Sequence, residues 1–162
     1  DRCWNVVAAN GAAMALLNRH VSADLLAPPI NVFRLSLHPR GLAPRIANLA
    51  QWRRHLFERL RQQIQATADP ALIELQAELL QYPAPAAEGA MTLGGELLGV
   101  VMPFCFESEL GMLSLISTTT IFGTPVDVTL QELAVESFFP ADDFTLQALR
   151  KLASTADLKP GD

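Results

Sequence analysis

The side chains able to do covalent or metal chemistry are few. His20, His38 and His55 all fall in the first third of the chain, and Cys3 and Cys105 stand far apart with no C-x-x-C spacing. Zinc needs four ligands converging at about 2.0–2.3 Å, usually from closely spaced Cys and His, and no such cluster can be assembled. There is no G-x-S-x-G, and no serine or cysteine sits in a nucleophile-elbow context. Arg2-Cys3-Trp4 and Phe104-Cys105-Phe106 are apolar settings, so both thiols read as small buried hydrophobes of a reducing compartment. Gly94-Gly95 and Gly99 lack the Lys-Ser/Thr of a phosphate loop. Glu107/Glu109 and Asp142/Asp143 fall at a turn and a helix start, where solvated carboxylates are ordinary. The expectation is a protein that binds rather than catalyses, with no cofactor or metal.

Charge is segregated. Residues 1–61 hold nine arginines against Asp1, Asp24 and Glu58; residues 62–149 hold twelve acids and no Lys or Arg; the last thirteen residues are close to balanced. Any buried anion therefore finds its cation in the first 61 residues, among the histidines, or at the far C-terminus. The simpler reading is that two oppositely charged parts of one domain face each other or solvent. The net charge of −5 argues against this piece gripping nucleic acid alone. Half of the residues are hydrophobic and 18% are charged, enough apolar surface to fold as one domain, and no run of 18 apolar residues spans a membrane. The first residue is Asp1, without a methionine or a signal peptide, as expected for a piece of a longer protein.

Elements can be placed from periodicity. Cys3 to Ala9 reads as a short first strand, ended by Asn10-Gly11, with Asn10 capping a helix over Ala12 to Arg19. Asn31 suits an N-cap for Val32 to Leu37, and His38-Pro39-Arg40-Gly41 is a turn. Leu49, Trp52, Leu56, Leu60 and Ile64 recur at helical spacing, with Phe57 beside them and Arg53, Arg54, Arg59, Arg61 and Gln62 mostly off the stripe. Asp69-Pro70 opens a further helix to about Gln81 with Leu72, Leu75, Leu79 and Leu80 apolar. Residues 83–90 are a loop. The period then changes: Leu97 to Phe106, Met112 to Phe122 and Leu130 to Phe139 are an antiparallel meander. Residues 107–111 join its first two strands as a hairpin, Gly123-Thr124-Pro125 begins the second connection, and residues 140–143 cap a last helix. The fold class expected is α+β, one mainly antiparallel sheet with helices on one face. In SLISTTT (114–120), alternation puts Ser117 and Thr119 on one face and Ser114, Thr118 and Thr120 on the other. Either set could face solvent or line a cavity.

Several stretches together carry a resemblance: WNVVAAN (4–10), NVFRLSLHP (31–39), NLAQW (48–52), STTTIFGTPVDVTLQEL (117–133) and ESFFP (136–140). From Trp4 to about Ala153 the chain resembles the MmyB-like ligand-binding domain at the C-terminus of bacterial XRE-family transcriptional regulators. The resemblance implies a PAS-like fold with a pocket between sheet and helices, a fatty-acid-type ligand, and a helix-turn-helix DNA reader N-terminal to Asp1 and absent from this chain. Because a regulator that reads a palindromic operator is usually a symmetric dimer, a homodimer is expected, and the unpaired cysteines make the cytoplasm the default compartment. The domain is expected over 1–155, with 156–162 as a tail.

An acyl tail needs an apolar tunnel, each buried methylene contributing about 0.8 kcal/mol. The candidate lining is Phe33, Leu37, Trp52, Leu56, Leu60, Phe104, Leu115 and Phe122. A carboxylate head needs a cation or clustered donors. Arg34, Arg45, Arg53 and His55 are the candidate cations, with Thr118 or Thr120 as neutral donors. Arg34, inside the NVFRL stretch, ranks first; alternatively it pairs with Glu132 or Glu136 across the fold. A filled core with an exposed apolar patch would instead mark a dimerisation or protein-interaction module.

Overall fold

The computed structural model describes residues 1–84, 103–121 and 133–156. Among the described residues, five α-helices, α1 (Gly11–His20), α2 (Val32–Leu37), α3 (Leu49–Thr67), α4 (Pro70–Leu80) and α5 (Asp143–Ala156), accompany a sheet of β1 (Pro103–Ser108), β2 (Gly111–Ile121) and β3 (Ala134–Pro140). The strands run antiparallel in the order β1-β2-β3, so the class is α+β.

The N-terminal segment departs from expectation: Cys3 to Ala9 forms no strand, only a single bridge between Asn5 and Asn31. Trp4 takes a left-handed φ of 64°, which interrupts an extended run, and the Asp1 carboxylate accepts from the N–H groups of Cys3 and Asn5, curling the segment on itself. Asn31 joins this segment to the next helix. Its side-chain oxygen accepts from Phe33 and Arg34 N–H, capping α2, while its amide donates to the Cys3 carbonyl and Asn5. Helix α2 is buried at Phe33, Leu35, Ser36 and Leu37, and the turn after it passes so close that a Cβ on Gly41 would lie 2.3 Å from the Leu35 carbonyl oxygen. Only glycine fits there.

Helix α3 buries Trp52, Leu56 and Leu60, the stripe expected. It stops at Ala68, which is left-handed (φ 49°) and returns its N–H to the Ile64 carbonyl. Asp69 then caps α4, with Pro70 at its first position and Leu72, Leu75 and Leu79 inward; Leu80 is exposed. Asn48 caps nothing. Its oxygen accepts from Cys105 N–H and its amide donates to the Pro103 carbonyl, while Ala47 N–H donates to the Cys105 carbonyl. These bonds cover the free edge of β1, which would otherwise template aggregation.

The hairpin falls where expected, Ser108 opposite Gly111, with Gly111 at φ 119° and a Phe144 ring carbon 2.9 Å from where a Cβ would stand. The strands start and stop a few residues from the expected bounds; residues 97–102, 122 and 130–132 lie outside the described residues, as do the connection at 123–125 and most of the 83–90 loop. At the end of β3, Ala141 N–H donates to the Ser114 carbonyl, Asp142 accepts from Thr145 N–H, and the buried Thr145 hydroxyl accepts from Ser114 N–H. Helix α5 is thereby tied to the centre of the sheet, with Ala148 and Leu152 buried. No described helix is long and apolar enough to cross a membrane.

Candidate functional site

Register and burial settle which face of the sheet meets α3. Phe104 and Phe106 of β1 pair with Leu115 and Leu113 of β2, and all four are buried in one cluster with Phe33, Leu37, Trp52, Leu56 and Leu60. Alternation carries that face on to Ser117 and Thr119, and across β3 to Glu136 and Phe138. The Trp52 ring lies 4.8 Å from Phe104, and Phe104 lies 5.8 Å from Phe138. The expected apolar lining is therefore brought together, apart from Phe122, which lies outside the described residues.

The expected polar donors need correction. Thr118 and Thr120 lie on the opposite face and point away from the core, because a β-strand sends successive side chains to opposite sides. Ser117 and Thr119 are the hydroxyls on the core side. Arg34 does not pair with Glu136: its guanidinium grips Glu78 of α4 with bonds of 2.7–3.1 Å, and the Tyr82 hydroxyl donates to the same carboxylate. Glu132, its other expected partner, lies outside the described residues. The clamp with Glu78 raises the Arg34 pKa and lowers that of Glu78, and burial with the Glu78 bond pushes Tyr82 up to about 12. Arg53 donates to the Leu79 carbonyl at 3.0 Å at the end of α4 and lies 4.9 Å above the Phe57 ring. Arg45 reaches the Glu107 carbonyl at 3.5 Å.

The cation at this face is Arg59. It donates to Glu136 Oε1 (3.3 Å) and Thr119 Oγ1 (2.7 Å), and its guanidinium lies 4.5 Å from the Trp4 ring. Ser117 Oγ donates to the same Glu136 oxygen at 2.8 Å. The Arg59 and Glu136 side chains are 18% and 16% exposed, the most buried ion pair among the described residues. His55, one turn before Arg59, is half-buried with its ring 5.5 Å from Trp52; burial lowers its pKa, helped by Arg59 and opposed by Glu136. Trp52 is 2% exposed, and its indole N–H has no acceptor among the described residues.

Sequence reasoning leaves Arg59 among the residues mostly off the apolar stripe and does not name it as a candidate cation. The signal that finds it is the spacing 52, 55, 59, which puts tryptophan, histidine and arginine on one side of a helix, together with the alternation that places Ser117 and Thr119 on the face of Leu113 and Leu115. Cys105 is buried with its thiol pushed up by desolvation, as expected; Cys3 is only half-buried. No described group of three or more His, Cys, Asp or Glu could hold a metal ion. A small cleft lies elsewhere, between α1, the β1–β2 hairpin and α5, lined by His20, Arg19, Glu109 and Leu152; its volume is about 10 Å³, room for one water.

No curated protein and no solved structure matches the chain. A family model does, over residues 1–152, and it takes in every side chain just described at the seam between α3 and the sheet. The chain belongs to the MmyB-like transcription regulator ligand binding domain family.

Proposed function

We propose that this domain is the ligand-sensing C-terminal part of a bacterial DNA-binding regulator of the XRE type, and that it binds a small apolar, fatty-acid-like molecule between α3 and the sheet. The observation that carries the reading is the apolar seam formed by Trp52, Leu56, Phe104, Leu115 and Phe138, which ends in the half-buried polar group of Arg59, Glu136, Ser117 and Thr119. Small-molecule sites combine an apolar wall with a few convergent polar groups; here the wall's buried side chains pack against one another and a ligand would enter by parting them, with the exposed Phe138 at its margin. In this reading the sheet and helices are a PAS-like frame over residues 1–155, followed by a short tail. DNA contact belongs to a helix-turn-helix domain preceding Asp1, and two copies act as a homodimer in the cytoplasm. The domain senses and does not catalyse.

The interaction-module reading has an observation of its own. Val135 and Phe139 are exposed on the outer face of β3, and Met112 and Phe144 are exposed near the hairpin, more apolar surface than scattered single residues. Native mass spectrometry of the freshly purified chain, followed by extraction, separates the two. A co-purifying acyl molecule near one per chain supports the sensor. An empty chain that also binds no member of an acyl panel overturns it in favour of the module, and the same spectrum reports monomer or dimer.

A further inference from the structure

The first residues of the chain are fastened to α2 and α3. The Trp4 carbonyl accepts from Val32 N–H at 2.9 Å, Val6 N–H donates to the Ile30 carbonyl at 2.8 Å, and the Asn31 amide donates to the Cys3 carbonyl. On the side of α3, the Trp4 indole N–H donates to Gln63, whose own amide donates to the Arg2 carbonyl. The Trp4 ring meets the buried Phe33 edge-on at 5.1 Å, and the Arg59 guanidinium lies 4.5 Å from its centroid.

Arg59 is thus a joint between parts of the fold far apart in sequence. It donates to Glu136 of β3 at 3.3 Å and to Thr119 of β2 at 2.7 Å, while the same group lies against Trp4. Ser117 in turn holds the Glu136 oxygen at 2.8 Å. A guanidinium is planar and rigid, so the two bonds that fix its plane also fix the surface it offers to the indole. Trp4 sits at a left-handed φ of 64°, a conformation that a bulky residue keeps only while its surroundings impose it. The segment therefore has a second arrangement within reach, a more extended one taken when the indole lets go.

We propose that Arg59 couples the sheet to the N-terminal segment, so that a shift of α3 against β2 and β3 changes how firmly Trp4 is docked. On the reading above, a DNA-reading domain joins the chain ahead of Asp1, and docking or release of Trp4 close to that junction is the output of the domain. The coupling rests on that reading only for what receives the output. By linkage it is reciprocal: loosening the segment also loosens the hold of Arg59 on the sheet.

Amide exchange of the whole chain, followed residue by residue by NMR with neither ligand nor DNA, tests the coupling. The side-chain hydrogen bonds of Glu136 and Thr119 among the described residues run to Arg59 and Ser117, so an effect on the segment has to pass through Arg59. Glu136→Gln is expected to speed exchange of the Val6 and Val32 N–H groups about fivefold or more relative to Leu75 and Leu79 of α4, whose rates report general loosening. Thr119→Val, a milder change, is expected to act in the same direction by about twofold or more. Gln63→Ala, which releases the indole and the Arg2 carbonyl, is expected to speed exchange along β3. In an Arg59→Met background, Glu136→Gln is expected to leave Val6 and Val32 unaffected, because the joint is gone. Rates at Val6 and Val32 that rise only in step with α4, or a Glu136→Gln effect that persists without Arg59, overturn the proposal. An empty chain that binds no acyl compound overturns the sensing reading and leaves the coupling standing, whereas uncoupled exchange does the reverse.

Discussion

Removing Glu136 alone should be far worse than removing it together with Arg59. Glu136→Leu leaves a guanidinium 18% exposed with no carboxylate, and it removes the acceptor of the Ser117 hydroxyl. Breaking a buried pair by deleting one partner costs about 3–5 kcal/mol. This pair keeps some solvent, and Arg59 retains Thr119 and the Trp4 face, so the expected cost is about 2–3 kcal/mol. For a domain of this size that is a fall of roughly 6–9 °C in Tm at about 3 °C per kcal/mol. Arg59→Met alone leaves Glu136 still bonded to Ser117 but without its counter-charge, and it should cost a similar amount. The double variant carries no unpaired charge at this position. It loses a cation–π contact worth about 0.5–1 kcal/mol and gains apolar contact, so it should lie within about 1 kcal/mol of wild type. The assay is urea denaturation of all four proteins at one pH, read as a double-mutant cycle. A double variant as unstable as the sum of the singles refutes the reasoning, because the two groups would then act independently and the pair would not be the unit.

Three further outcomes can be read with ordinary assays. Asn48→Ala strands both the Cys105 N–H and the Pro103 carbonyl, and should lower stability by about 2–4 kcal/mol by denaturant titration while speeding amide exchange at Cys105. His20 and His55 both have folded pKa values below the ordinary 6.5, so below that pH the unfolded chain binds more protons. Stability should therefore be full above about pH 6.5 and fall as pH drops through and below it; a midpoint that is flat from pH 7.5 to 5.5 refutes this, and a double His→Gln variant should flatten the curve. Tyr82 is the single tyrosine, and burial and Glu78 push it up to about 12, so phenolate absorbance should appear only well above pH 10 in the folded chain and earlier in Glu78→Gln.

Elements whose logic is local are legible from the sequence. Helix α3 can be read from Leu49, Trp52, Leu56, Leu60 and Ile64, and the caps Asn10, Asn31 and Asp69 all make the predicted side-chain bonds. The hairpin at 107–111 is set by its own turn residues. Failures arise where a distant partner decides. Trp and Val propensity marks Cys3 to Ala9 as a strand, but a strand needs a neighbour over several residues, and Asn31 supplies a single bridge. Alternation divides SLISTTT correctly into two faces, yet only the docking of α3 reveals that Ser117 and Thr119 are inside. Glu136 is a reasonable partner for Arg34 by charge alone; the packing of α2 on α4 gives that arginine Glu78 instead.

The charge segregation seen in the sequence explains why the arginine count misleads the search for an anion site. Four of the ion pairs cross from the arginine-rich first 61 residues to the acid-only stretch after them: Arg2–Asp69, Arg19–Glu109, Arg34–Glu78 and Arg59–Glu136. A segment of twelve acids without one basic residue cannot neutralise itself, so its carboxylates draw their counter-charges from the other part of the chain as the two come together. Most of these pairs are well exposed and contribute little each, because water and salt screen them. Arg59–Glu136 differs because it lies at the edge of the core, where screening is weak and an unmatched charge is costly. The arginines at the seam are thus engaged by the fold before any ligand arrives, and an anionic ligand would have to compete with a carboxylate covalently held in position.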